Sequence, residues 1–274
     1  MGFSLHDPRG LMDIVVCVKR VPDTSEAEVV IVKEGRTIEE RDLVFDINEW
    51  DKYAVEEAVL LKEKHGGSVT VVTIGTEEAE DTLRRCFAIG ADNAIRLTDK
   101  AFKGSDGATI ARILYQVIKD LKFDLVLTGA QASDDGYGQV GPTIAELLGI
   151  PHATLVTHIE IINGKATVHR ELEGGLDEVV EVPLPAVLTI QTGINEPRYV
   201  SIMGVRKAAK KEIETLGLKE LGLREEEVGE FGSGTKVERL FLPPVTREAE
   251  ILQGSPEEVA TKLAQILKDE GGLA

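Results

Sequence analysis

The sequence predicts an α/β fold: a parallel, doubly wound sheet with a β-rich edge and a C-terminal arm ending in a helix. Three observations predict it. Short, mostly apolar runs at 14–18, 124–128 and 186–190 read as strands covered on both faces. Amphipathic helical stretches alternate with them, as in βαβ units. From Ala153 the pattern changes to alternating segments joined by Asn163-Gly164 and Gly174-Gly175, the signal of a hairpin meander.

The elements follow in order. The first strand is expected from Asp13, just after Met12, ending at Val21-Pro22-Asp23. Val29–Ile38 reads as a short hairpin turning at Glu34-Gly35. A helix is predicted from Asn48 to Lys64, capped by Asn48, with its stripe on Ala54, Val55, Ala58, Val59 and Leu61 and its stop at His65-Gly66-Gly67. A strand at 68–74 leads to a helix over 77–88 capped by Gly75-Thr76. A short strand at 94–97, a helix at 106–121, the strand at 124–128 and a helix at 139–148 complete the alternation. Strands are then expected at 155–162, 166–173, 178–182 and 186–190. Residues 217–237, rich in Gly and Glu, read as a loose linker. Ser255-Pro256-Glu257-Glu258 opens a last helix with a capping box and a stripe of Val259, Leu263, Ile266 and Leu267. The organisation is thus a tail (1–12), an α/β domain (13–213), a linker or arm (214–254) and a terminal helix (255–274).

Composition narrows the function. The 274-residue chain is 42% hydrophobic with a net charge of −17, enough apolar mass for a full core and the wrong sign for a broad nucleic-acid surface. No apolar run approaches bilayer length, so direct membrane insertion is not expected. The first residues lack the features of a signal peptide. Cys17 and Cys86 read as reduced core residues of a cytoplasmic protein. The five histidines show no metal or triad spacing, and no nucleophile elbow or Walker loop occurs.

Two segments stand out. Gly129–Pro142 follows a strand and feeds a helix, where glycines let a phosphate approach free N–H groups. An ordinary βα loop is the plainer reading of the same residues. The G-x-G-x-x-G match at 136, 138 and 141 is discounted, because seven residues separate it from the strand. Val18-Lys19-Arg20 and Asn48–Asp51 are expected at the same edge. The second segment, Ile194–Lys211, joins apolar Ile194, Tyr199, Ile202 and Met203 to Arg206, Lys207, Lys210 and Lys211, with Pro197 as a stiffener. An apolar anchor inside a charged rim suits partner docking. A connection folded back onto the core is the alternative.

These residues resemble the β-subunit family of electron transfer flavoprotein (ETF β/FixA). The resemblance runs from about Met12 to Ile213. It is carried by Glu173-Gly174-Gly175-Leu176, Leu184-Pro185-Ala186-Val187-Leu188-Thr189, Ile194-Asn195-Glu196-Pro197-Arg198-Tyr199 and Lys207-Ala208-Ala209-Lys210-Lys211. Val18-Lys19-Arg20-Val21, Ala54-Val55-Glu56-Glu57-Ala58 and Gly129-Ala130-Gln131-Ala132 agree as well.

The resemblance implies an adenine-nucleotide-binding fold of the α-hydrolase-like type and a heterodimer with an α subunit that holds most of a redox-active FAD. It implies an electron carrier, not an enzyme. Electrons would come from acyl-CoA-type dehydrogenases, as in fatty acid β-oxidation, and leave to a membrane quinone oxidoreductase. By motif position, a structural AMP would contact Cys17, Asn48, Glu49, Trp50, Asp51, Ile74, Ala132, Ser133, Asp134, Asp135, Gly136, Tyr137, Gly138, Gln139, Val140, Gly141, Pro142 and Thr143. The dehydrogenase would dock on residues 191–199, chiefly Ile194, Asn195, Glu196, Pro197, Arg198 and Tyr199, with Ile194 where the family usually has leucine. The Asp134-Asp135 pair resembles AMP-type members. Val140-Gly141-Pro142 resembles electron-bifurcating members, in which a second FAD replaces AMP and oxidises NADH.

Overall fold

The computed structural model describes residues 11–25, 29–32, 34–244 and 251–269. The elements in chain order are β1 (Met12–Cys17), β2 (Arg20–Pro22), β3 (Phe45–Ile47), α1 (Glu49–His65), β4 (Gly67–Ile74), α2 (Glu80–Ile89), β5 (Asn93–Leu97), α3 (Gly107–Ile118), β6 (Leu125–Gly129) and α4 (Val140–Leu148). There follow β7 (His152–Ile162), β8 (Lys165–Leu172), β9 (Leu176–Pro183), β10 (Ala186–Ile190), α5 (Ile202–Ala208), β11 (Glu214–Leu216), α6 (Gly229–Gly232) and α7 (Pro256–Asp269).

Among the described residues the main sheet has nine strands in the order β11-β5-β4-β1-β6-β10-β7-β8-β9. It is parallel from β11 to β7 and antiparallel through β8 and β9. Alternate side chains of each strand feed opposite faces. Ile14 and Val16 of β1 join Ala54, Val55 and Ala58 of α1 and Leu83 and Phe87 of α2 on one side. Val15 and Cys17 join Ile113, Leu114 and Val117 of α3 and Ile144 and Leu148 of α4 on the other. The chain builds outward from β1 through β4 and β5, then crosses back to β6. The order therefore reverses between β1 and β6, where doubly wound sheets open a crevice at their carboxyl ends. The β7–β9 meander forms as expected, and Asn163 and Gly164 both take the positive φ that a tight hairpin demands.

Several expectations are corrected. The first strand starts at Met12, not Asp13, because Met12 already pairs with Gly67. It ends at Cys17, and Arg20–Pro22 leaves it to pair antiparallel with Phe45–Ile47 in a separate two-stranded sheet. The hairpin expected at 29–38 forms on a small scale among the described residues: Ile31 bridges Ile38, and the Val32 N–H donates to the Thr37 carbonyl at 3.0 Å. The helix expected from Glu77 opens as a 3-10 turn, Glu77–Ala79, and becomes α-helical only at Glu80.

The linker expected at 217–237 is structured over much of its length. Leu221, Leu223 and Val228 are buried in the core beside α3, and β11 extends the sheet against β5. Ser255 and Glu258 make the reciprocal capping box of α7, whose described side chains are not buried. Of the predicted tail, residues 1–10 lie outside the described residues, as do 245–250 of the arm and 270–274 of the terminal helix. Among the described residues no helix is long and apolar enough to cross a membrane.

Candidate functional site

A cavity of about 230 Å³ opens at the β1/β6 crevice. Cys17, Val18 and Lys19 line it from the end of β1, Ile74 from the end of β4 and Thr128–Ala132 from the end of β6. Asn48 and Asp51 enter from the start of α1. Ser105, Asp106, Gly107, Ile110 and Leu114 come from α3 and the turn before it, and Gln139 and Val140 from the start of α4. Three helix starts thus converge on one hollow, with first-turn N–H groups that have no helical acceptor.

Asp51 organises this floor. Its buried carboxylate accepts the N–H of Lys19 at 2.7 Å and that of Gly129 at 3.0 Å, fastening the ends of β1 and β6 together. Burial pushes its pKa up to about 7, against the opposing pull of these hydrogen bonds. Asn48 does not cap α1 with its side chain. Its amide instead donates to the Gln131 carbonyl at 2.8 Å and accepts the Ser133 N–H at 3.1 Å, so the expected cap residue holds the loop after β6. Burial, and secondarily the Asp51 charge, raises the Cys17 thiol pKa far above its ordinary value, leaving a neutral apolar wall.

The loop is pinned on its other side by Lys19, whose ammonium donates to Asp134 at 2.6 Å and Asp135 at 2.8 Å. Gly136 and Gly138 carry the loop through positive φ, and a Cβ at Gly138 would stand 3.2 Å from the Ala130 carbonyl. Gly141 serves packing: a Cβ there would lie 2.4 Å from Thr189 Cγ2 and 2.8 Å from Thr128 Oγ1.

Of the positions predicted for nucleotide contact, Cys17, Asn48, Asp51, Ile74, Ala132, Asp135, Tyr137, Gly138, Gln139 and Val140 line the cavity. Glu49 and Ser133 border a neighbouring hollow with Pro22, Asp46, Tyr53 and Pro197. Trp50 turns away to Gln191, and Asp134 reaches the site through Lys19. Gly136, Gly141, Pro142 and Thr143 lie outside the lining. Sequence reasoning missed the α3 edge. Asp106 caps α3 through Thr109 and also accepts from Gly234 and Thr235, joining the supposed linker to the cavity rim. The signal present was Asp106 as a helix start at the same sheet edge.

The segment expected to dock a partner is partly covered at its expected anchor. Ile194 is half-buried and packs against the core. Asn195 donates to the Tyr53 carbonyl at 3.1 Å and to Glu57 at 3.0 Å. Arg198 forks onto Glu56 and Glu63, with Nη2 2.9 Å from Glu56 and Nη1 2.7 Å from Glu63. Those carboxylates, Glu63 first, raise its pKa further. Residues 194–198 are therefore folded back onto α1. Exposed apolar surface follows one step later, at Tyr199, Val200, Ile202, Met203 and Val205. Pro197 is partly covered and Glu196 faces solvent.

Comparison with known proteins bears on this geometry. The electron transfer flavoprotein domain matches residues 36–221. The chain belongs to the electron transfer flavoprotein family. It is 40% identical over 262 residues to the electron transfer flavoprotein subunit beta of Methylophilus methylotrophus, covering 94% of this chain and 98% of that protein. The subunit beta of Bacillus subtilis is 41% identical over 260 residues, with 94% and 98% covered. The caffeyl-CoA reductase-Etf complex subunit CarD of Acetobacterium woodii is 41% identical over 261 residues, again with 94% and 98% covered. The family membership and the parallel sheet with flanking helices agree with the sequence-based expectations.

Proposed function

We propose that this chain is the β subunit of a heterodimeric electron transfer flavoprotein, and that the β1/β6 cavity holds a structural AMP. Near-full-length similarity to proteins named subunit beta supports the first part. The cavity carries the second. It is a small hollow of about 230 Å³ into which three helix starts point. Apolar Cys17, Ile74, Ile110 and Leu114 offer a base-sized wall, and the starts of α3 and α4 offer N–H groups to a phosphate.

An α subunit would hold most of the redox-active FAD, which supplies the electron-carrying chemistry when bound. This chain's own residues would bind and orient. Lys19, Asn48 and Asp51 set the nucleotide loop, α1 carries the docking segment, and the surface from Tyr199 to Val205 meets an acyl-CoA-type dehydrogenase. Delivery to a membrane quinone oxidoreductase and a cytoplasmic site of action belong to the same reading. Co-expression with the α partner, followed by cofactor extraction, tests it. One FAD and one AMP per heterodimer is the expected result, and a colourless chain that forms no heterodimer would overturn it.

One observation favours a second reading. The space around Gly136 is open, and Val140-Gly141-Pro142 follows directly at α4. A second FAD in this chain, taking hydride from NADH, would extend through that opening. Extraction of two FAD and no AMP would establish it.

A further inference from the structure

Three carboxylates line the cavity, Asp51, Asp106 and Asp135, beside one cation, Lys19. That is a poor balance for a phosphate unless the acids are occupied. Asp51 is taken by two backbone N–H groups and Asp106 by those of Thr109, Gly234 and Thr235. Asp135 and its neighbour Asp134 are taken by Lys19 itself. The first two sit in rigid frames of backbone. The third contact is of another kind: one partly exposed ammonium shared by two partly exposed carboxylates, on a loop with two left-handed glycines next to it.

We propose that Lys19 is the phosphate-binding cation of the nucleotide site, and that Asp134 and Asp135 are competing internal anions which surrender it when a phosphate enters. The inference rests on the nucleotide reading of the cavity. Lys19 stands at the cavity wall with its backbone N–H fixed by Asp51, so the base of its side chain is anchored while its ammonium is held only by two partly exposed carboxylates. Burial alone would lower the Lys19 pKa, but the two carboxylates outweigh it and shift it upward. The acidic pair therefore occupies the site's cation. Exposed ion pairs are weak, and a doubly charged phosphate, helped by the N–H groups of α3 and α4, is a stronger partner.

The consequence has an unusual sign. Removing acidic residues from a nucleotide loop ordinarily reads as loss of ligands, whereas here D134N and D135N should tighten AMP binding. In D135N the amide oxygen can still accept the Tyr137 N–H that Asp135 Oδ1 accepts at 3.2 Å, so the local turn is retained. The test uses the full chain in complex with its α partner, with labelled AMP and adenosine exchanged by dialysis. Each aspartate variant should bind AMP about three- to tenfold more tightly and adenosine unchanged. K19Q should lose AMP and keep adenosine. Weaker AMP binding in D134N and D135N, or an equal loss of AMP and adenosine in K19Q, would overturn the assignment of Lys19 while leaving the cavity a nucleotide site. Failure of the parent complex to bind AMP and adenosine alike would overturn both.

Discussion

The indole Nε1 of Trp50 donates to Gln191 Oε1 at 2.8 Å, joining the first turn of α1 to the start of the docking segment. Asp51, the next residue, holds the floor of the cavity. Adjacent side chains of one helical turn thus serve the cavity floor and the segment that begins at Gln191. Trp50→Phe keeps an aromatic ring, smaller than the indole, and removes the donor. It is expected to cost about 0.5–1.5 kcal/mol and to speed proteolysis within 191–199, while AMP retention stays unchanged. Limited proteolysis and chemical denaturation check this.

Asp51 makes stability pH-dependent in a sense opposite to most carboxylates. Its folded pKa of about 7 lies above the reference value of 3.8. Between these values the native chain holds a proton that the unfolded chain has released. The group's contribution is therefore greatest below the lower value, declines as pH rises toward the upper one, and is flat beyond it. Asp51→Asn abolishes this slope and gives up one of two backbone acceptors, so AMP retention falls. Denaturation of parent and variant at about pH 5 and about pH 8 should show their difference shrinking at the higher pH. Taking the difference cancels Asp13, Asp46 and Asp106, whose lowered values act with the opposite sign.

Arg198 holds the docking segment to α1 through a carboxylate, Glu56, whose side chain is only 4% exposed. Arg198→Ala strands that charge and should cost about 1–3 kcal/mol, the buried-pair penalty reduced for the partial exposure of the arginine. Arg198→Lys should recover little, because an ammonium cannot fork onto Glu56 and Glu63 together. Melting curves of the two variants, with Glu56→Gln combined with Arg198→Ala as the matched control, test this.

The exposed residues after Tyr199, not Ile194, should carry dehydrogenase affinity. Ile202→Ala and Met203→Ala are each expected to weaken docking by about 1–2 kcal/mol without lowering the melting temperature. Ile194→Ala should do the reverse, losing stability by about 1–2 kcal/mol through its contact with the core. Electron-transfer rates at varied dehydrogenase concentration, beside thermal melts, separate the two outcomes.

What could be read from sequence follows local physics. The apolar runs of β1, β6 and β10 announced buried parallel strands, and Asn163-Gly164 announced its hairpin. The loop after β6 was visible as a binding candidate from its glycines and its place between strand and helix. Long-range partnerships were not visible. Asn48 has the side chain of a cap and spends it on Gln131 and Ser133, 83 and 85 residues away. Leu221, Leu223 and Val228 lie too sparsely among Gly and Glu to show a period, yet each finds the core. Ile194 and Ile202 are alike in composition terms. Only the placement of α1 beneath the first leaves the second bare.

The position of β10 bears on how the molecule is made. It is the tenth strand to be synthesised but the sixth across the sheet, and it bridges β6 to the meander. Until residue 190 has left the ribosome, the parallel half and the β7–β9 meander are two unfinished pieces, each with an open edge facing the other. Closure then requires a five-residue strand to enter between them, a non-local step of the kind that slows folding and exposes strand edges to misassembly. The strand β10 acts as the keystone between the two halves, so slowing translation once Ile190 has left the ribosome should raise the yield of native protein more than slowing it anywhere earlier in the sheet.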